Sequence, residues 1–189
     1  MNEAEILDIF NKTGAILDGH FKLSSGLHSA QYLQCAKVLQ YPEHAAKLCS
    51  ALAARFKTAK PDVVIAPAVG GILVSYEVAR ALNVRSLFME RVDGKMTLRR
   101  GLTLKRGEKA LVVEDVVTTG LSTREVIDAL KPFGTTLVGA GCIVDRTKEK
   151  PNFPASFESL IKIDTPTFNP KECPLCKNGT PITKPGSRA

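Results

Sequence analysis

From Asp62 onward the chain alternates between apolar runs of strand length and helical patterns. Val63-Val64-Ile65-Ala66 is apolar at every position, as a strand buried on both faces must be. Residues 72–82 predict a helix, 85–89 a strand and 109–113 a strand. A helix over 121–130 and strands over 137–144 and 157–163 follow. Alternating strand and helix units imply an α/β fold: a central parallel sheet, right-handed crossovers, and helices on both faces. Ligands in such sheets bind beyond the carboxyl ends of the strands.

The segment Leu111-Val112-Val113-Glu114-Asp115-Val116-Val117-Thr118-Thr119-Gly120-Leu121-Ser122-Thr123 lies at one such end. A β-branched run leads to adjacent carboxylates, then a hydroxyl- and glycine-rich turn, then a helix. A helix start offers unpaired backbone N–H groups and the positive end of a dipole, which suits a phosphate. Paired carboxylates beside it suit ribose hydroxyls or hydrated Mg²⁺. A sugar phosphate is the economical ligand.

The rest of the chain limits the alternatives. A length of 189 residues and 44% hydrophobic content fit a single globular domain with a small appendage. No apolar run is long enough for a membrane span. Glu3, Glu5 and Asp8 keep the start of the chain from reading as a signal peptide. Five cysteines, an odd count, suggest reduced thiols and a cytoplasmic location. The net charge of +7 concentrates over 91–109, with little aromatic interleaving, so a compact polyanion fits it better than nucleic acid. A helix is expected over 4–12, with Ile6, Leu7 and Phe10 inward, and short strands over 21–34. Another helix should begin at Pro42 and run to about position 56. Residues 166–189, rich in Pro, Lys and Gly, read as irregular chain.

The 111–123 segment resembles the phosphoribosyl pyrophosphate (PRPP) signature of type I phosphoribosyltransferases. Phe21-Lys22-Leu23-Ser24-Ser25-Gly26-Leu27-His28-Ser29, Arg91, the 97–101 run and Asp145-Arg146 extend that likeness to orotate phosphoribosyltransferases. The resemblance implies the type I phosphoribosyltransferase fold over residues 1–165. Residues 1–40 would contribute a small N-terminal hood, and 60–165 the PRPP-binding core. It implies transfer of the 5-phosphoribosyl group of PRPP to orotate, giving orotidine 5′-monophosphate and pyrophosphate in pyrimidine biosynthesis. Mg²⁺ would be the cofactor, held through PRPP and water near Glu114 and Asp115. The assembly would be a homodimer, with no nucleic-acid or membrane partner. The alternatives are a purine-base phosphoribosyltransferase and a PRPP-sensing regulator that binds nucleic acid.

The same resemblance distributes roles. Asp115, Lys95 and Arg91 become catalytic. PRPP falls to Glu114, Asp115, Val116, Val117, Thr118, Thr119, Gly120, Leu121 and Ser122, with Gly70, Gly71 and Arg91. Thr123 lies beside the phosphate anchor. Orotate falls to Thr118, Arg146 and Tyr32. Residues 91–101 would form a mobile loop that completes the neighbouring subunit's site.

Several positions stay open. Gly70-Gly71 suits an anion nest but also a tight turn. Arg146 could fork onto a substrate carboxylate or pair with Asp145. Tyr32 could flank the base or sit in the core. Val92, Thr97, Gly70 and Ser24 stand where some relatives carry Lys or His, which thins the set of cations. Cys173-Pro174-Leu175-Cys176 has the spacing of half a zinc site. No second pair exists, and His20, His28 and His44 are scattered, so a reduced structural loop is the expectation.

Overall fold

The computed structural model describes residues 1–23 and 25–185; Ser24 and the last four positions lie outside them. Asn2 starts α1 (Glu3–Lys12) through a reciprocal cap with Glu5, each side chain accepting from the other's backbone N–H. Ile6, Ile9 and Phe10 are its buried residues, with Leu7 only partly covered. β1 (Ile16–Lys22) and β2 (His28–Leu33) pair antiparallel. β1 begins at Ile16, ahead of the start expected at position 21. A single turn, α2 (Ala36–Leu39), leads to α3 (Pro42–Phe56), with the proline in its first turn as expected.

The alternating part then runs β3 (Val63–Pro67), α4 (Gly71–Leu82), β4 (Arg85–Val92), β5 (Lys95–Leu98), β6 (Lys109–Val117), α5 (Leu121–Leu130), β7 (Thr136–Asp145) and β8 (Phe157–Lys162). The six strands lie in the order β5-β4-β3-β6-β7-β8. All neighbours are parallel except β4 and β5.

Burial on both faces explains the unbroken apolar runs. Val64, Ala66, Leu111, Val113 and Ile143 join the core under α1, α3 and α4. Val63, Ile65, Ala110, Val112 and Ala140 face the other way, onto Val126, Ile127 and Leu130 of α5. Each of the Val, Leu and Ile side chains among them contributes about 1.5–3 kcal/mol of transfer free energy. Phe56 of α3 lies against Gly139 and Gly141 of β7. A Cβ there would come within 2.6 and 2.8 Å of its ring, so the ring takes the space two side chains would need.

Two expectations need correction. Residues 91–98, expected as part of a mobile loop over 91–101, are strand and tight turn, and only 99–101 lie outside them. Val92 pairs with Lys95 and Arg91 with Met96 in a β4–β5 hairpin. Asp93 and Gly94 both have positive φ, 49° and 79°, the turn that matches strand twist. Nor are residues 166–185 irregular throughout. β9 (Thr167–Phe168) adds to β2, Thr183 bridges Phe21, and α6 (Pro174–Lys177) lies between them. The open edge of β2 offers unpaired backbone groups, and the tail satisfies them. The hood is therefore the three-stranded sheet β1-β2-β9, built from both ends of the chain. Among the described residues no helix is long and apolar enough to cross a membrane.

Candidate active site

β6 reaches Val117, so Glu114 and Asp115 lie within the strand rather than after it. Strand alternation sends them to opposite faces. Glu114 turns toward α5, where the buried Thr123 hydroxyl donates to its Oε2 at 2.5 Å. Burial pushes the Glu114 carboxyl up to about 7; the Thr123 hydrogen bond pulls the other way, and the Asp115 charge adds to the rise. Asp115 turns toward the β3–α4 junction. Burial raises it too, against the backbone N–H groups of Val116 and Asp115. Both carboxyls thus sit where a cation or a set of hydroxyl donors is needed to hold their charge.

The turn after β6 is shaped by Gly120, whose φ of 73° precedes α5. Thr119 Oγ1 accepts from the Leu121 N–H. Among the described residues no group accepts from the N–H of Thr118, Thr119, Gly120 or Ser122. Thr118 and Thr119 are exposed. Val117 is only 1% exposed, so it offers a ligand backbone alone. Val116 is half-buried and Leu121 exposed.

Gly70 closes the site on the α4 side. A Cβ there would lie 2.7 and 2.8 Å from the two Asp115 carboxylate oxygens. The glycine is therefore required by close approach, and a lysine at this position could not coexist with Asp115 as placed. A Cβ on Gly71 would meet the Cβ of Ala66 at 2.8 Å. Both glycines serve packing here, and their backbone remains open to an anion.

Arg146 enters from β7. Its N–H donates to the Val117 carbonyl at 2.8 Å, which seats it beside the end of β6. The side chain is half-buried, and Nε and one terminal nitrogen donate to Thr165 Oγ1 at 3.1 and 2.5 Å. It does not pair with Asp145, whose carboxylate is buried and accepts from the Thr147 N–H and hydroxyl, both at 2.7 Å. Among the described residues no carboxylate forms an ion pair with Arg146. Burial lowers its pKa, and an anion would relieve that cost. Tyr32 stands nearby on β2, tilted on Phe21 with ring centres 5.8 Å apart. Burial raises its hydroxyl pKa, while Arg146 pulls it down and Asp115 adds to the rise.

The hairpin supplies the cations. Arg91 pairs with Glu125 of α5 and donates to the Gly94 carbonyl at 3.4 Å. Arg100 forks onto Glu90, both contacts 2.8 Å. Lys95 is exposed beside the turn and makes no ion pair among the described residues. Asp115, Gly70, Arg146 and Tyr32 thus gather on one side of the strand ends, with Glu114 and Arg91 on the α5 side. Lys95 stays apart at the hairpin tip. Three partners were not foreseen: Thr123 under Glu114, Thr165 under Arg146, and Glu125 opposite Arg91. Thr123 had been placed beside the phosphate, but its side chain is committed to Glu114.

The profile of the phosphoribosyl transferase domain matches residues 35–172. An orotate phosphoribosyltransferase of Desulforamulus reducens is 56% identical over 188 residues, spanning all of this chain and 98% of that protein. The chain belongs to the orotate phosphoribosyltransferase family. A second member, from Chlorobium phaeobacteroides, is 51% identical over 189 residues and 98% of its length. Among solved structures, an orotate phosphoribosyltransferase from Aeropyrum pernix superposes with a TM-score of 0.62 at 28% identity. That match covers 75% of this chain and 81% of the other. The mostly parallel sheet with its antiparallel hood is the type I phosphoribosyltransferase fold.

Proposed function

We propose that these strand ends form one active site that transfers the 5-phosphoribosyl group of PRPP to orotate, in pyrimidine biosynthesis. Orotate N1 bonds to C1′ of the ribose and gives up its proton to water, and the bond from C1′ to pyrophosphate breaks, the electron pair leaving with pyrophosphate. The free N–H groups of Thr118, Thr119, Gly120 and Ser122 hold the 5′-phosphate. Glu114 and Asp115 accept from the ribose hydroxyls. The backbone at Gly70-Gly71 receives pyrophosphate, with Arg91 and Lys95 as its cations. Arg146 forks onto the orotate carboxylate through the N–H groups that Thr165 leaves free, with Thr118 and Tyr32 beside the base.

Arg146 carries this reading. A neutral purine would leave a half-buried, unpaired guanidinium facing the base, whereas orotate brings the carboxylate it lacks. The hard oxygens of Glu114 and Asp115, on neighbouring residues and both disfavoured as bare charges, fit Mg²⁺ bound together with PRPP through water. Bound there, Mg²⁺ would draw charge from the departing pyrophosphate. The free thiols suit a reducing cytoplasm.

The functional unit is a homodimer in which each hairpin serves the neighbouring site. Leu73 and Tyr76 of α4, 50% and 61% exposed, form an apolar patch with Val69 of the preceding turn, 77% exposed. A patch of that kind suits a partner subunit. Lys95, free at the hairpin tip, is placed to reach outward.

Pyrophosphate release from PRPP and MgCl₂, with orotate, uracil, adenine or hypoxanthine as acceptor, tests the function. Release with orotate alone is expected. Release with a purine, or none with orotate, overturns it.

A further inference from the structure

The hood and the tail meet at a cluster that phosphoribosyl transfer does not use. His20 and His28 lie on β1 and β2, and Cys173 and Cys176 flank α6. One donor atom from each falls within 4.8 Å of all the others. All four residues lie outside positions 35–172, the span matched by the family profile.

Local structure brings them together. His28 pairs across the hairpin with Lys22, and the register shifts between Asp18 and Phe21; the His20 and His28 rings meet edge to face there, with centroids 4.8 Å apart. Cys173 caps α6, and one helical turn returns Cys176 to the same side. Gly179, with φ of 68°, then reverses the chain and brings the Thr180 carbonyl to His20 Nδ1 at 2.8 Å. A carbonyl only accepts, so Nδ1 carries the proton and the lone pair of Nε2 points inward. A backbone carbonyl behind the imidazole is the usual orienting partner of a metal-bound histidine.

From Nε2 of His20 the distances are 3.0 Å to His28 Nδ1, 3.6 Å to Cys173 Sγ and 3.7 Å to Cys176 Sγ. Cys176 Sγ is 3.3 Å from His28 Nδ1. A tetrahedral zinc with bonds of about 2.0 Å to nitrogen and 2.3 Å to sulfur sets its ligands roughly 3.3–3.8 Å apart. A hydrogen bond between the imidazoles would explain one of these contacts, but not the convergence of both sulfurs on the same point. His20, His28 and Cys173 are 3%, 6% and 0% exposed, so their donors face away from water.

We propose that His20, His28, Cys173 and Cys176 bind one structural Zn²⁺ that fastens the hood sheet to the C-terminal segment. Two nitrogens and two sulfurs complete four-fold coordination, the closed set of a structural rather than catalytic zinc. The ion would lock β9 and α6 against β1 and β2, and so hold the strand that carries Tyr32.

Full-length protein, purified without chelator after growth with ZnSO₄, should contain about one zinc per chain by mass spectrometry. Cys176→Ser should bring the zinc content to background and lower Tm. Misfolding of that variant would also release the metal, so the parent supplies a second readout. Chelator treatment followed by Co²⁺ should give the ligand-field bands of tetrahedral cobalt and a thiolate-to-cobalt charge-transfer band. Negligible zinc together with no thiolate band on adding Co²⁺ overturns the proposal. So does a folded Cys176→Ser that keeps its zinc, or a Cys173–Cys176 disulfide in protein purified under reducing conditions.

Discussion

Arg146→Ala removes the guanidinium and leaves the backbone contact to Val117 in place. Of five guanidinium N–H groups, those on Nε and one terminal nitrogen are directed at Thr165, leaving the remainder for a carboxylate. Removing one partner of a hydrogen-bonded charge pair costs about 2–5 kcal/mol. At about 1.4 kcal/mol per factor of ten, KM for orotate should rise from about 30-fold to a few thousandfold. KM for PRPP should move little, since the phosphate and ribose anchors lie on β6 and the following turn. Thr165→Val keeps the charge but loses its anchor. One hydrogen bond is worth about 1 kcal/mol net, so KM for orotate should rise on the order of fivefold. Initial rates with each substrate varied at saturating levels of the other give both constants. Urea unfolding should change by less than about 1 kcal/mol for Arg146→Ala, because the side chain has no buried ion pair to lose. Equal rises in both KM values, or a large loss of stability, would make Arg146 a structural residue and refute the reasoning.

Gly70→Ala should lower kcat on the order of 10²-fold with a small change in Tm, because its Cβ would displace the Asp115 carboxylate 2.7 Å away; near-parent kcat would show that Asp115 need not stand where it does. Glu114 is raised from 4.5 to about 7 in the folded protein, so the folded state binds more protons than the unfolded state within that window. Stability should therefore fall as pH rises from about 4.5 to 7, by up to about 3 kcal/mol. Glu114→Gln should remove that slope in urea unfolding at pH 5 and 8, and an unchanged slope would contradict the assignment. Mixing Lys95→Ala with Asp115→Asn under subunit exchange should restore activity, because one site of each mixed dimer then carries neither defect. No recovery, with exchange demonstrated independently, would place the hairpin in its own subunit's site.

The alternation of apolar runs, glycine turns and helical patterns was legible because each signal is local. The β6 run, the Gly120 turn and α5 sit within one short stretch, and α5 falls on the expected residues. What was not legible depends on partners distant in sequence. The charged residues of 91–101 concealed a hairpin that becomes regular only beside β3. The pleat that separates Glu114 from Asp115 follows from β6 continuing to Val117, which pairing with β7 sustains. β9 exists because β2 has an edge to fill, and His20 meets Cys173 across 153 residues of chain. Arg146 could be singled out by type and position, but Thr165 could not, since a threonine in a loop carries no signal of the guanidinium it supports.

One ligand touches the phosphate, ribose and base anchors together. Orotidine 5′-monophosphate carries the 5′-phosphate, the ribose hydroxyls and the orotate carboxylate together, so a crystal structure of the chain with it bound is the most direct test. The phosphate should lie on the N–H groups of Thr118, Thr119, Gly120 and Ser122, the ribose hydroxyls on Glu114 and Asp115, and the carboxylate on Arg146. A phosphate seated elsewhere, or a carboxylate turned away from Arg146, would contradict the site described here.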